Sequence, residues 1–137
     1  MRIVYIPGVW DVFHVGHLTI LERARALGDK LVVGVPSDEV VLQDKGKFPL
    51  TPLVSRCRVL NALQCVDVVI PYYKLEFLSH LKLIRPDVLV VGEDWGNKRR
   101  HRDAEQWMRS SNGRIVSFPR YQGISSTEIA KRLRDEG

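Results

Sequence analysis

The chain has 137 residues, 45% of them apolar and 27% charged, with a formal net charge of +5. That size suits a single domain over residues 1–137 with one core, and the composition excludes a disordered or collagen-like chain. No apolar run approaches the ~20 residues needed to span a bilayer and the chain opens without a signal-peptide pattern, so no membrane insertion and a cytoplasmic location are expected. The positive charge fits either nucleic acid or a small polyanionic substrate. The basic cluster Lys98-Arg99-Arg100-His101-Arg102 is short and lacks the interleaved aromatics of a single-strand binder. A solvated or phosphate-facing loop, with no nucleic-acid partner, is the better expectation.

Ile3-Val4-Tyr5-Ile6 reads as a buried strand over 2–6, and Leu18, Leu21 and Ala24 recur at the spacing of a helix over 16–27. Between them lies Gly8-Val9-Trp10-Asp11-Val12-Phe13-His14-Val15-Gly16-His17. His14 and His17 thus fall at the start of a helix, three residues apart on one face. There the first N–H groups are unpaired and the helix dipole favours an anion, while Gly8 and Gly16 leave room for close approach. A phosphate site follows. Caps, or half of a zinc site, are the other readings; zinc needs a third and usually a fourth ligand, and His80, His101, Cys57 and Cys65 form no ligand-like pair. No protein-held metal is expected.

Further strands are predicted at 31–35, 67–70, 87–91 and 114–118, and further helices at 53–64, 74–84, 102–111 and 126–135. Cys57 and Cys65, eight apart on one predicted helix, cannot bridge and suit a reducing compartment. Strands that are apolar at nearly every position and alternate with helices predict a doubly wound, Rossmann-like α/β fold. Its sheet has five parallel strands with helices on both faces. Ligands bind such folds at the carboxyl ends of the strands. The polar loops expected there hold Ser37-Asp38-Glu39, Asp44-Lys45-Gly46-Lys47, Gly92-Glu93-Asp94-Trp95-Gly96 and the residues from Pro119 to Thr127. In the last, Gly123 permits a tight turn, and Ser125 or Ser126 can cap the helix that Thr127-Glu128 opens, a second anion site.

The pair His14-Val15-Gly16-His17 and Ile124-Ser125-Ser126-Thr127 resembles the signatures of the small cytidylyltransferases of the nucleotidyltransferase superfamily. Gly92-Glu93-Asp94-Trp95 and Arg120-Tyr121-Gln122-Gly123-Ile124-Ser125 are most similar to the bacterial glycerol-3-phosphate cytidylyltransferases. The resemblance implies cytidylyl transfer from CTP to a phosphorylated alcohol, first of all glycerol 3-phosphate, with Mg²⁺ on the triphosphate and a homodimeric enzyme. It implies that His14, His17, Lys47 (or Lys45) and Arg120 act on the phosphates. Gly8, Val9, Trp10, Asp11, Gly16, Arg56, Gly92, Asp94, Trp95, Gly123, Ile124, Ser125, Ser126 and Thr127 would form the nucleotide and substrate site. In two places the chain departs from the glycerol phosphate enzymes: Val9-Trp10 replaces Thr-Phe, and Gln64 replaces an arginine. Residues 50–56 and 62–67 look more like the adenylyltransferase that makes ADP-heptose, so adenylyl transfer to a sugar phosphate, or cytidylyl transfer to another phosphoalcohol, is the alternative.

Overall fold

The computed structural model describes residues 1–119 and 126–136, without the side chains of Ser126, Thr127 and Glu136. The chain order is β1 (Ile3–Pro7), α1 (Val15–Arg25), β2 (Lys30–Pro36), α2 (Asp38–Lys45), α3 (Leu53–Asn61), β3 (Val68–Tyr72), α4 (Leu78–Ile84), β4 (Val88–Val91), α5 (Arg99–Ser110), β5 (Arg114–Ser117) and α6 (Ser126–Glu136). The strands form one parallel sheet in the order β3-β2-β1-β4-β5. This is the predicted five-stranded, Rossmann-like sheet.

Alternation along the strands divides the core between the two faces. Val4 and Ile6 of β1 pack with Leu21 and Ala24 of α1 and Leu60 of α3. Tyr5, between them, points the other way and packs with Leu81 of α4 and with Ala104 and Met108 of α5. Period-two alternation on a central strand therefore needs apolar side chains at every position. After β1 the chain winds outward to β2 and β3, then returns to β4 on the other side of β1. The carboxyl ends of β1 and β4 flank this reversal, and a crevice opens there because the two loops leave toward opposite faces.

Several boundaries differ from expectation. Residues 38–45 were expected in loops but form α2, capped by Ser37, whose Oγ accepts from Val40 N, and closed by Gly46 at φ 78°. The cap and the glycine are both visible in the sequence; eight polar-rich residues gave too short a period to outweigh a loop. α3 ends at Asn61, so Cys57 and Cys65 do not share a helix. α5 begins at Arg99, which places the basic cluster on a helix cap and first turn instead of a loop.

Gly34 shows how tightly the centre is packed. A Cβ there would lie 2.8 Å from Tyr5 Cζ and closer still to the hydroxyl. Gly34→Ala is expected to destabilise the fold by about 1–3 kcal/mol, the usual cost of overpacking. A urea unfolding midpoint equal to that of the parent chain would contradict this packing.

Candidate active site

The turn from β1 into α1 is held in an uncommon backbone conformation. Trp10 and Val12 have φ of 58° and 46°, a region that costs a β-branched residue energy unless its surroundings impose it. Trp10 is 6% exposed and donates its indole N–H to Gly34 O at 3.1 Å. Gly8 is small because of that ring: a Cβ there would sit 2.8 Å from Trp10 Cε2. Trp10, expected to meet the ligand, is buried beneath the loop, and Gly8 leaves room for its ring.

His14 and His17 form a reciprocal cap at the start of α1. Gly16 N donates to His14 Nδ1 at 3.0 Å, and His14 N donates to His17 Nδ1 at 3.2 Å. The rings stack with centroids 4.0 Å apart, and the far side of His17 meets Trp10 and Phe13. With each Nδ1 accepting, a neutral ring carries its proton on Nε2. Burial, with the neighbouring His14 ring, lowers His17 to about 4 against a weaker opposing pull from Asp11; burial lowers His14 as well. Two stacked imidazoles are therefore neutral at pH 7 and present Nε2–H donors beside a helix start. That is an arrangement for phosphate oxygens.

Behind the turn stands Arg56, only 2% exposed. Its Nε donates to Thr51 O at 2.9 Å, Nη1 to Val9 O at 3.0 Å, and Nη2 to Asp38 Oδ1 at 2.6 Å. Asp11 closes the same network: its carboxylate accepts from Leu50 N, Thr51 N and the Thr51 hydroxyl. Burial pushes the Asp11 carboxyl up, but the Thr51 and Leu50 hydrogen bonds and the Arg56 charge outweigh it and hold it low. Arg56 and Asp11, expected in the binding site, tie together the loops that carry it.

On the other face of the sheet the strand ends border a cavity of about 230 Å³. Gly8, Val9 and Gly92 form its edge at the β1–β4 crevice. A Cβ at Gly92 would meet nothing within 4 Å, so the backbone there is open to a ligand. Trp95 stacks on His101 at 4.1 Å and donates its indole N–H to Glu105. Lys45 lines the cavity, whereas Lys47 is exposed on the loop beyond α2. Asp94 is exposed after β4. Arg120, Gly123, Ile124 and Ser125 lie outside the described residues; Ser126 and Thr127 open α6, as expected. Asp44, Arg100 and Tyr72 also line the cavity. Asp44 was expected at this edge, though in a loop and not on α2, and Arg100 belongs to the run read as solvated or phosphate-facing; Tyr72, at an apparently plain strand end, was not expected.

Residues 5–132 of the sequence, most of the chain, match a family model, Cytidylyltransferase-like. The chain belongs to the cytidylyltransferase-like family. Its members include nucleotidyltransferases, and the reading of this chain as an enzyme of that kind stands. Among curated relatives it is 36% identical over 136 residues to the "Bifunctional protein HldE" of Photorhabdus laumondii subsp. laumondii, covering 98% of this chain and 28% of that protein. The HldE of Helicobacter hepaticus is 43% identical over 98 residues, covering 71% and 20%. This cytidylyltransferase-like chain thus spans under a third of the length of these relatives. A lipopolysaccharide core biosynthesis protein from Thermoplasma volcanium GSS1 has a TM-score of 0.77 and 27% identity, covering 89% of this chain and 99% of that one. A pantoate-β-alanine ligase from Francisella tularensis, at 18% identity and a TM-score of 0.63, shares the fold. The relatives are HldE proteins and not glycerol-3-phosphate cytidylyltransferases in particular, which corrects the closer of the two resemblances.

The histidine pair has a pH signature. Between the ordinary value of 6.5 and about 4, the unfolded chain takes up a proton that folded His17 refuses. Stability therefore falls as pH drops through that window and is full above it. His17 is expected to remain neutral and Nε2-protonated at roughly pH 5.5 in ¹⁵N imidazole spectra; protonation near its ordinary value would refute the stacked, capped geometry. Arg56→Met leaves three acceptors without their donor and should cost about 2 kcal/mol or more. Its denaturant midpoint checks this.

Proposed function

We propose that the chain transfers an adenylyl group from ATP to a sugar phosphate and releases pyrophosphate. The neutral, stacked Nε2–H pair at the start of α1 carries the transfer reading, since its donors face a phosphate chain without needing protonation. The acceptor class is supported by similarity along nearly the whole chain to HldE proteins and to a lipopolysaccharide core biosynthesis protein. The ADP-heptose-like segments 50–56 and 62–67 point the same way. ADP-heptose contains a heptose joined through its phosphate, so heptose 1-phosphate is the acceptor to try first.

A phosphate monoester has a second pKa near about 6 and is already nucleophilic at neutral pH. It requires no general base, so its oxygen attacks the α-phosphorus in line, the bond to the bridging oxygen breaks, and pyrophosphate leaves with the electron pair. His14 and His17 donate to non-bridging and leaving oxygens as charge shifts onto them. The α1 dipole favours the same anion. Lys45 and Lys47 are within the segment that would neutralise the phosphates. Mg²⁺ keeps several waters and is held by phosphates with one or two carboxylates; a metal arriving on the triphosphate suits a site whose described residues include no cluster of three His, Cys, Asp or Glu. Bound there, it would offset charge on the leaving pyrophosphate.

Cytidylyl transfer to glycerol 3-phosphate has less support. Trp95, on which the cytidine reading leaned, stacks on His101 and gives its N–H to Glu105, and Arg120 lies outside the described residues.

Pyrophosphate release from ATP, CTP, GTP and UTP, each with heptose 1-phosphate or glycerol 3-phosphate, tests the reading. Turnover with ATP and the sugar phosphate is expected; turnover confined to CTP and glycerol 3-phosphate would overturn it. His14→Ala and His17→Ala should each lower kcat by roughly 10²–10³, and an unchanged kcat with a raised KM would reduce them to ground-state contacts.

A further inference from the structure

One wall of the cavity is more elaborate than phosphate transfer requires. Arg100, in the first turn of α5, reaches across to Asp44, near the end of α2, and Nη2 donates to Oδ1 at 2.6 Å. The two side chains are only 17% and 24% exposed, and both line the cavity. Lys98 and Lys45 lie at the looser distance of 3.9 Å from the same carboxylate, with 54% of each side chain exposed. Arg100 Nε is buried and has no hydrogen-bond partner. A buried donor without a partner is uncommon in a native fold and calls for a functional explanation.

The ligand chemistry follows from what this wall offers. Arg100 supplies a donor, and Asp44 supplies acceptor positions beyond the one that Arg100 occupies. A phosphate placed there would face the Asp44 carboxylate and be repelled, whereas a hydroxyl can accept from the guanidinium and donate to the carboxylate at once. Val40, Val41, Leu75 and Phe77 add apolar lining to the same cavity, suited to the C–H faces of a ring. A volume of about 230 Å³ is below the roughly 300–1,000 Å³ of drug-sized sites and matches one monosaccharide.

We propose that Arg100 and Asp44 determine acceptor specificity by binding hydroxyls of the phosphosugar, whose phosphate lies toward Gly8 and Gly92. This deepens the transferase reading and rests on it. The sugar then approaches from one face of the sheet and the nucleotide from the α1 face, and the reacting atoms meet at the β1–β4 crevice.

Calorimetric titration of the full chain with heptose 1-phosphate, glycerol 3-phosphate and Mg²⁺–α,β-methylene-ATP tests the assignment. Arg100→Lys keeps a cation for Asp44 and removes the Nε–H; Asp44→Asn keeps the shape and removes the charge. Each should weaken heptose 1-phosphate binding roughly tenfold or more, while glycerol 3-phosphate and the nucleotide analogue change less than about twofold. Thermal melts identify a variant that has lost its fold. Unchanged sugar-phosphate binding in both variants, an equal loss for glycerol 3-phosphate, or no binding of heptose 1-phosphate by the parent chain would each overturn the proposal. Failure of the parent chain to bind the nucleotide analogue would instead overturn the transferase reading.

Discussion

A buried guanidinium holds the catalytic edge of this protein together. Arg56 joins the β1 loop at Val9, the first turn of α2 at Asp38, and the loop before α3 at Thr51. Removing a cation from water is costly, and it is tolerated here because one carboxylate and two carbonyls surround it. Asp11 returns the constraint from the other direction by binding Leu50 and Thr51. With both in place the β1 loop has little freedom to relax. The positive φ values at Trp10 and Val12 persist because the surroundings leave no alternative.

That rigidity matters to the proposed transfer, in which the histidines serve as neutral donors. Their stacking and mutual capping would be disrupted if both rings were charged, and burial keeps them unprotonated. In the proposed reaction the attraction for a triphosphate comes from the helix start and from exposed lysines, while the imidazoles direct hydrogen bonds. The same separation between exposed cation and buried donor recurs at α5, where Lys98 is solvated and Arg100 is packed against Asp44.

The parallel sheet would let the two ligands of the proposed reaction meet at one crevice. Its central strand β1 carries α1 on one face, while the second cluster packs α4 and α5 on the other. In the proposed reaction a nucleotide at α1 and an acceptor between α2 and α5 approach from opposite sides. In-line displacement needs that opposition, because attacking and leaving oxygens lie on opposite sides of the phosphorus.

Local sequence carried the sheet and the helix start that holds the two histidines. Runs such as Val88-Leu89-Val90-Val91 can only be strands buried on both faces, and His14 and His17 occupy a helix start that the preceding strand and following period define. Ser37 and Gly46 marked α2 as well, although eight polar-rich residues gave no convincing period. What the sequence could not disclose was which polar groups become buried. Arg56 and Trp10 were read as ligand contacts and the fold buries both in hydrogen bonds to the protein, with partners up to 47 residues away for the arginine and 24 for the tryptophan. Arg100 read as part of a solvated or phosphate-facing loop, and only α5 brings it against Asp44, 56 residues distant. Hydrophobic period is a property of neighbouring residues, so it determined the fold from the chain alone; the pairing of charges across helices is decided only when the sheet brings those helices together.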